Sequence, residues 1–238
     1  MIRERFFFRE TIASILADDP AHIDAAKRGI LAARQALERY IAKDPFFLTT
    51  FEPYEPDSDD LIIIRMAEAA AIAGVGPMAA VAGSIAWAGI DEMVLAGASF
   101  GVIDNGGDIA MVSYDRPVRV GVHAGTAPVS DRMAFVIPKK NGIRGICTSS
   151  ATVGPSISLG VADAVTVFSD NPSIADAYAT AICNRIRIGD RSVLDEIDPD
   201  NVTGVFAVLG GHTEQWGELP PIVPAIVDEG LISAGDRL

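Results

Sequence analysis

Phe100-Gly101-Val102-Ile103-Asp104-Asn105-Gly106-Gly107-Asp108-Ile109-Ala110-Met111-Val112-Ser113-Tyr114 is the stretch on which the reading of the fold turns. Two apolar runs, Phe100 to Asp104 and Ile109 to Tyr114, flank an Asn-Gly pair, the strongest short-range signal for a tight hairpin. Similar β-rich runs follow at Val118 to Val122, Met133 to Ile137, Ile143 to Thr148, Ala164 to Phe168 and Val205 to Leu209. Short strands in succession imply a largely antiparallel sheet. Only one helical pattern interrupts them, starting at Ser173 and running through Ala177, Thr180 and Asn184.

Upstream of Ala98 the pattern is helical. Arg5 to Arg9 reads as a short edge strand, and Asp18-Asp19-Pro20 then supplies an N-cap and a proline suited to a first turn. Ile23, Ala26, Ile30, Ala33, Leu37 and Ile41 recur at spacings of three and four, which predicts a long amphipathic helix. Residues 44 to 60, rich in proline, acids and aromatics, read as an ordered surface loop. Ser58 and Asp59 are candidate caps for a helix through Ile64, Met66, Ala70 and Ala73 that stops at Gly74-Val75-Gly76-Pro77, with a second small-residue helix from Met78 to about Trp87. The expectation is one α+β domain over 1–238, helical over about 10–97 and sheet-rich over about 98–210, its sheet packed with helices.

Composition bounds the function. The chain has 238 residues, 19 Lys+Arg against 32 Asp+Glu, and a formal charge of −13, which disfavours partners that present phosphate arrays: no nucleic acid and no anionic membrane surface. Ala69 to Ile90 carries no charge and is long enough to span a bilayer. Its Ala/Gly composition and the break at Pro77 instead predict two buried helices. Two cysteines, Cys147 and Cys183, are too few for a disulfide framework, and the N-terminus lacks a secretory pattern, so a cytoplasmic location is expected.

Several short patterns bear on chemistry. Gly74-Val75-Gly76-Pro77-Met78-Ala79 imitates a dinucleotide fingerprint, but a predicted helix precedes it where a strand is required. It reads as a helix-to-helix turn whose following helix N-terminus offers free N–H groups to a phosphate. Asn105, Gly106, Gly107 and Asp108 are accounted for by turn chemistry, although two acids around consecutive glycines also suit a ligand approaching the backbone. Asp176 and Thr180, four apart on a predicted helix, direct two hard oxygen donors to one face, as a Mg²⁺ ion with few protein ligands requires. The alternative is an acid in its own helix's first turn and a hydroxyl bonded back to a carbonyl. Cys147 needs a base such as His123 or His212 to act as a nucleophile, and otherwise reads as buried and inert. His22, His123 and His212 lack zinc-site spacing.

Taken in order, these segments resemble the ApbE family of flavin transferases, which move FMN from FAD to a protein threonine with Mg²⁺. Three blocks carry the resemblance: Val81-Ala82-Gly83-Ser84-Ile85-Ala86; Val102 to Ile109, similar to an Asn-x-Gly-Gly-Asp-Ile block; and Ala164-Val165-Thr166-Val167 with Ala175-Asp176-Ala177-Tyr178-Ala179-Thr180-Ala181, the most specific. Val75 to Gly83 is similar to a short branch of ApbE-related proteins lacking a lipoprotein signal. The resemblance implies the ApbE-like fold and metal binding by Asp176, Thr180 and the carbonyl of Ala82. It also implies a nucleotide pocket near Asn105, Gly106, Gly107, Asp108, Thr148 and Ser149, taking FAD or another flavin nucleotide. No catalytic residue is assigned. Gly83 stands where the family has lysine, and the family histidine after Thr-Ser-Gly is replaced within residues 149–156. Two other classes of reading stand beside a Mg²⁺-dependent transferase or pyrophosphatase. One is a repurposed protein that binds a metabolite or partner, as the branch's associations with sulfur assimilation imply; the other is a structural homo-oligomer joined through the Ala/Gly segment.

Overall fold

A computed structural model describes residues 1–152 and 160–227. The elements run β1 (Ile2–Phe8), β2 (Thr11–Ala17), α1 (Pro20–Lys43), α2 (Phe46–Thr49), α3 (Leu61–Ala73), a 3₁₀ turn (Pro77–Ala80), α4 (Val81–Leu95), β3 (Phe100–Asn105) and β4 (Asp108–Ser113). They continue as β5 (Val118–Gly121), β6 (Met133–Ile137), β7 (Lys140–Ser149), β8 (Ala164–Ser169), α5 (Pro172–Arg185), α6 (Ser192–Asp195), β9 (Gly204–Leu209), β10 (His212–Gly217) and β11 (Ile222–Pro224). Among the described residues, eight strands form one sheet in the order β1-β2-β3-β4-β7-β8-β9-β10, and every pairing in it is antiparallel. The expected α+β class with a largely antiparallel sheet is what forms.

The sheet is buried on both faces. One face carries α1, α3, α4 and α5 over the larger core, with Ile30, Ile63, Met66, Ile85, Ile90 and Met93 fully enclosed. The other is covered by a three-stranded sheet, β11-β6-β5, through Phe135, whose ring meets Phe168 and Phe206 edge-on at 4.8 and 5.5 Å. The strands Val118 to Val122 and Met133 to Ile137 read from the sequence therefore build this second sheet.

Several boundaries differ from the sequence reading, each for a physical reason. Thr11–Ala17, assigned to the helical half, is a strand between β1 and β3; nearly all its residues are buried, so it shows no alternation to mark it as β. The helix expected to end near Trp87 runs to Leu95, because Gly89, Ile90 and Met93 continue its buried face. Asp60 precedes α3, with its N–H donating to Ser58 Oγ at 3.2 Å, and Asn171, two residues before the expected Ser173 start, caps α5 through Ile174 N–H at 3.1 Å. Val205 to Leu209 is followed by two further strands.

Pro77–Leu95 is long and apolar enough, by length and composition, to cross a membrane. In the fold its α4 segment packs inside the chain, with Gly83, Ser84, Ile85, Ala86, Gly89, Ile90 and Met93 buried. Much of the Ala/Gly segment is thus an interior packing element, with Ala71 and Ile72 remaining at the surface.

Close approach explains its composition. A Cβ on Gly29 of α1 would sit 2.4 Å from the Ala88 carbonyl oxygen of α4. Helix propensity alone makes Gly→Ala favourable by ~1 kcal/mol, whereas forcing backbones apart in a packed core costs ~1–3 kcal/mol. Gly29→Ala is expected to lower the melting temperature in thermal denaturation.

Candidate functional site

Helix α4 starts without a side-chain cap of its own, Ala80 standing at its N-cap. Its free amides are taken instead by Asp176 from α5: Gly83 N–H donates to Asp176 Oδ2 at 2.8 Å. The two helices meet closely enough that a Cβ on Gly83 would lie 2.5 Å from the Pro172 carbonyl oxygen and 2.9 Å from Asp176 Cβ. Buried Ser84 and Ser173 add a 2.7 Å hydroxyl contact across the same junction. Asp176 therefore does not serve its own helix's first turn; it caps a neighbouring helix.

The β3–β4 hairpin docks on that junction. Gly106 and Gly107 form its two-residue turn with φ of 70° and 102°, the left-handed conformations a tight hairpin demands. Gly107 N–H donates to Asp104 Oδ1 at 2.8 Å. Asn105, 7% exposed, turns inward, and its Nδ2 donates to the Ala82 carbonyl at 3.1 Å. This bond holds the hairpin tip against α4 and sets Asp108 beside Asp176. Thr148 N–H donates to Asp108 Oδ1 at 3.2 Å.

A cleft of about 1240 Å³ opens over these groups. Ala82, Asp108, Thr148, Ser149, Asp176 and Thr180 all line it. The structure thus gathers six of the nine residues expected at the site; Asn105 bonds to the Ala82 carbonyl behind the floor, while Gly106 and Gly107 form the hairpin turn and do not line the cleft. No hydrogen bond to Thr180 Oγ1 occurs among the described residues. In the opposite wall the Gly74–Gly76 turn, singled out above as a candidate phosphate site, lines the cleft beside Leu48 to Phe51, which the sequence reading missed. Gly76 lies so near Thr50 that a Cβ would meet its carbonyl oxygen at 2.0 Å, a long-range contact with no local signal. The replaced family histidine falls partly in 153–159, outside the described residues.

Electrostatics single out the floor. Burial, opposed by the amides of Gly83 and Ala82, raises the Asp176 pKa to about 7. Burial and then the charges of Asp176 and Asp104 push Asp108 well above the carboxylate range, against the Thr148 amide and the Cys147 thiol. Cys147 is itself raised well above its usual value by burial and by Asp108 and Asp176, and its Sγ reaches the Pro172 carbonyl at 3.5 Å. It stays a protonated, enclosed thiol. No histidine lines the cleft among the described residues; His123 is bonded to Asp131 at 3.0 Å. The cation lining the cleft, Arg185, is held by both oxygens of Glu196 at 2.7 and 2.5 Å.

Two crowded carboxylates beside the Thr180 hydroxyl, with the lining cation among the described residues engaged by Glu196, fit a hard divalent ion that takes few protein ligands. Among the described residues no three His, Cys, Asp or Glu side chains form a dedicated metal cage. Any ion here would complete its shell with water or ligand oxygens.

A family model described as AbpE bacteria matches residues 9–212. The chain belongs to this family. Among curated relatives, a UPF0280 protein of Methanoregula boonei is 67% identical over 100% of both chains, and one of Methanosphaerula palustris is 58% identical over 99% of each. Solved structures of similar fold include the apo form of Pseudomonas stutzeri flavinyl transferase ApbE, with TM-score 0.59 at 14% identity over 99% of this chain and 98% of that one. The apbe protein of Thermotoga maritima gives a TM-score of 0.56 at 12% identity over 90% of this chain and 96% of that one. At such identities these structural likenesses speak for the fold alone.

The raised carboxylates fix the sign of a pH dependence. In the folded chain they keep protons that the unfolded chain has already lost, so their contribution to stability falls as pH rises from ~4 through the folded values. Asp108→Asn removes one charge and keeps an acceptor for the Thr148 amide. In metal-free thermal melts it is expected to raise the melting temperature at about pH 8 and leave it nearly unchanged at about pH 4.

Proposed function

We propose that this chain is a Mg²⁺-dependent enzyme that binds a flavin nucleotide, FAD first, and acts at its pyrophosphate. The reading rests on the juxtaposition of Asp108, Asp176 and Thr180 on the floor of one large cleft, where, among the described residues, the lining cation Arg185 is engaged by Glu196. An anionic diphosphate entering it needs a cation brought with it. The family membership and the titles of the similar structures point the same way.

Asp176 would hold the ion with the carboxylate oxygen not given to Gly83, and Thr180 Oγ1 would supply the second donor. The Ala82 carbonyl would join by yielding the Asn105 amide it now accepts. When bound, Mg²⁺ supplies Lewis-acid polarisation and charge neutralisation at phosphoryl oxygens. Asp108 and Ser149 would take ligand hydroxyls through hydrogen bonds, Leu48 and Phe51 of the opposite wall would pack against the ligand's rings, and a water would attack one phosphorus as the bridging P–O bond breaks. Gly83 leaves no room for the lysine of the family motif, so this reading assigns cleavage of the pyrophosphate and leaves transfer of FMN to a protein threonine without a residue to support it. Cys147 and Cys183, both buried and not joined in a disulfide, accord with work in the cytoplasm.

Calorimetric titration with FAD, FMN and ATP, each with and without Mg²⁺, tests the reading. Mg²⁺-dependent FAD binding is expected, weakened at least ~10-fold in Asp176→Ala, equivalent to ~1.4 kcal/mol. Incubation should release FMN and AMP. Metal-independent binding, or none by any nucleotide, would overturn it.

A further inference from the structure

Arg185, the basic side chain that lines the cleft among the described residues, is the last residue of α5. It stands well away from the metal-facing groups: nine residues separate it from Asp176, a rise of ~13 Å along the helix. Its partner Glu196 directly follows α6 and also lines the cleft. Buried Val193, Leu194 and Ile197 anchor the backbone that carries Glu196.

The pair forms a flat clamp. Arg185 Nη1 donates to Glu196 Oε2 at 2.7 Å and Nη2 to Oε1 at 2.5 Å, two parallel bonds that hold guanidinium and carboxylate near one plane. This bonding raises the Arg185 pKa and lowers that of Glu196, so both stay charged. An exposed ion pair adds little to stability, and these side chains are 53% and 57% exposed. Elsewhere the chain covers its guanidinium faces with its own rings: Arg65 lies 3.6 Å from the centre of Trp87 and Arg116 3.9 Å from that of Phe100. Among the described residues no ring stacks on Arg185.

We propose that the Arg185–Glu196 clamp is the base-recognition element of the cleft, a purine lying flat on the guanidinium while the diphosphate of the same ligand sits at the Asp176 and Thr180 oxygens. The inference rests on the proposed function and names the part of the ligand that is recognised. Charge favours a ring over a phosphate here, because the pair is neutral as a whole and two of its in-plane donors are spent on Glu196. What remains is a planar, weakly hydrated face, which suits an aromatic surface. An electron-rich purine, with two fused rings, gains more from that face than a pyrimidine does. A diphosphate, a ribose and a base in extended line span a distance of the order that separates Asp176 from Arg185. Recognition then resides in an adenosine diphosphate half, whatever group its second phosphate carries.

Calorimetric titration of the full chain with ADP and with UDP, both in excess Mg²⁺, tests the inference. The wild type is expected to bind ADP at least ~5-fold more tightly than UDP. Arg185→Lys keeps the charge and a partner for Glu196 but lacks the planar face, so it should bring the two affinities to within about twofold. UDP binding and its Mg²⁺ requirement should stay as in the wild type. Circular dichroism melts should show the variant folded, since Arg185 is mostly exposed. Equal ADP and UDP affinities in the wild type, or an ADP preference that survives Arg185→Lys, would overturn the clamp while leaving Mg²⁺-dependent FAD binding intact. Absence of any Mg²⁺-dependent nucleotide binding by the wild type would overturn the clamp and the proposed function together.

Discussion

The hydrogen bond from the Gly83 amide to the Asp176 carboxylate is the contact on which the site is built. It gives a partner to the Gly83 amide in the first turn of α4, where the Val81 amide is already taken by the Met78 carbonyl of the preceding 3₁₀ turn. The solution requires a second helix to bring a carboxylate close, and that approach leaves space for nothing larger than glycine at position 83. Once α4 is fixed, its Ala82 carbonyl receives Asn105, and the β3–β4 hairpin carries Asp108 to the same place. Two bonds between distant segments thus set two acids side by side in a buried floor. The repulsion they carry is a cost to the fold that a bound divalent ion would relieve.

Much of this was legible in the residues. Asn105-Gly106-Gly107 marks a hairpin wherever it occurs between β runs, because only glycine adopts the turn's left-handed backbone freely. The 3-and-4 spacing from Ile23 to Ile41 gave α1 almost to its ends, Pro20–Lys43. Strand β2 was not legible, since Thr-Ile-Ala-Ser-Ile-Leu-Ala, buried on both faces, has neither alternation nor helical period to choose between. Asp176 and Thr180 could be paired on one helix face by spacing alone, whereas the capping role of Asp176 toward α4 could not be, because it depends on a partner 93 residues away. The wall from Leu48 to Phe51 was hidden for the same reason: its place is set by contact with Gly76.

Fold and reaction separate at Gly83. The architecture is shared with solved flavin transferases across nearly the whole chain, yet Gly83, where the resemblance implies a lysine, is closed to any side chain here. The oxygen donors and the large cleft above them are the parts to which the proposed function assigns a metal–diphosphate, and none is assigned to handing a product to an acceptor.

The central claim, that Asp176 and Thr180 form the oxygen-donor end of a divalent-cation site on the cleft floor, is tested most directly by anomalous diffraction from crystals soaked in Mn²⁺ as a Mg²⁺ surrogate, with and without FAD. The account expects one strong anomalous peak within coordination distance of the Asp176 carboxylate and Thr180 Oγ1, strengthened by the nucleotide. A peak elsewhere in the cleft, or none there under either condition, would contradict it.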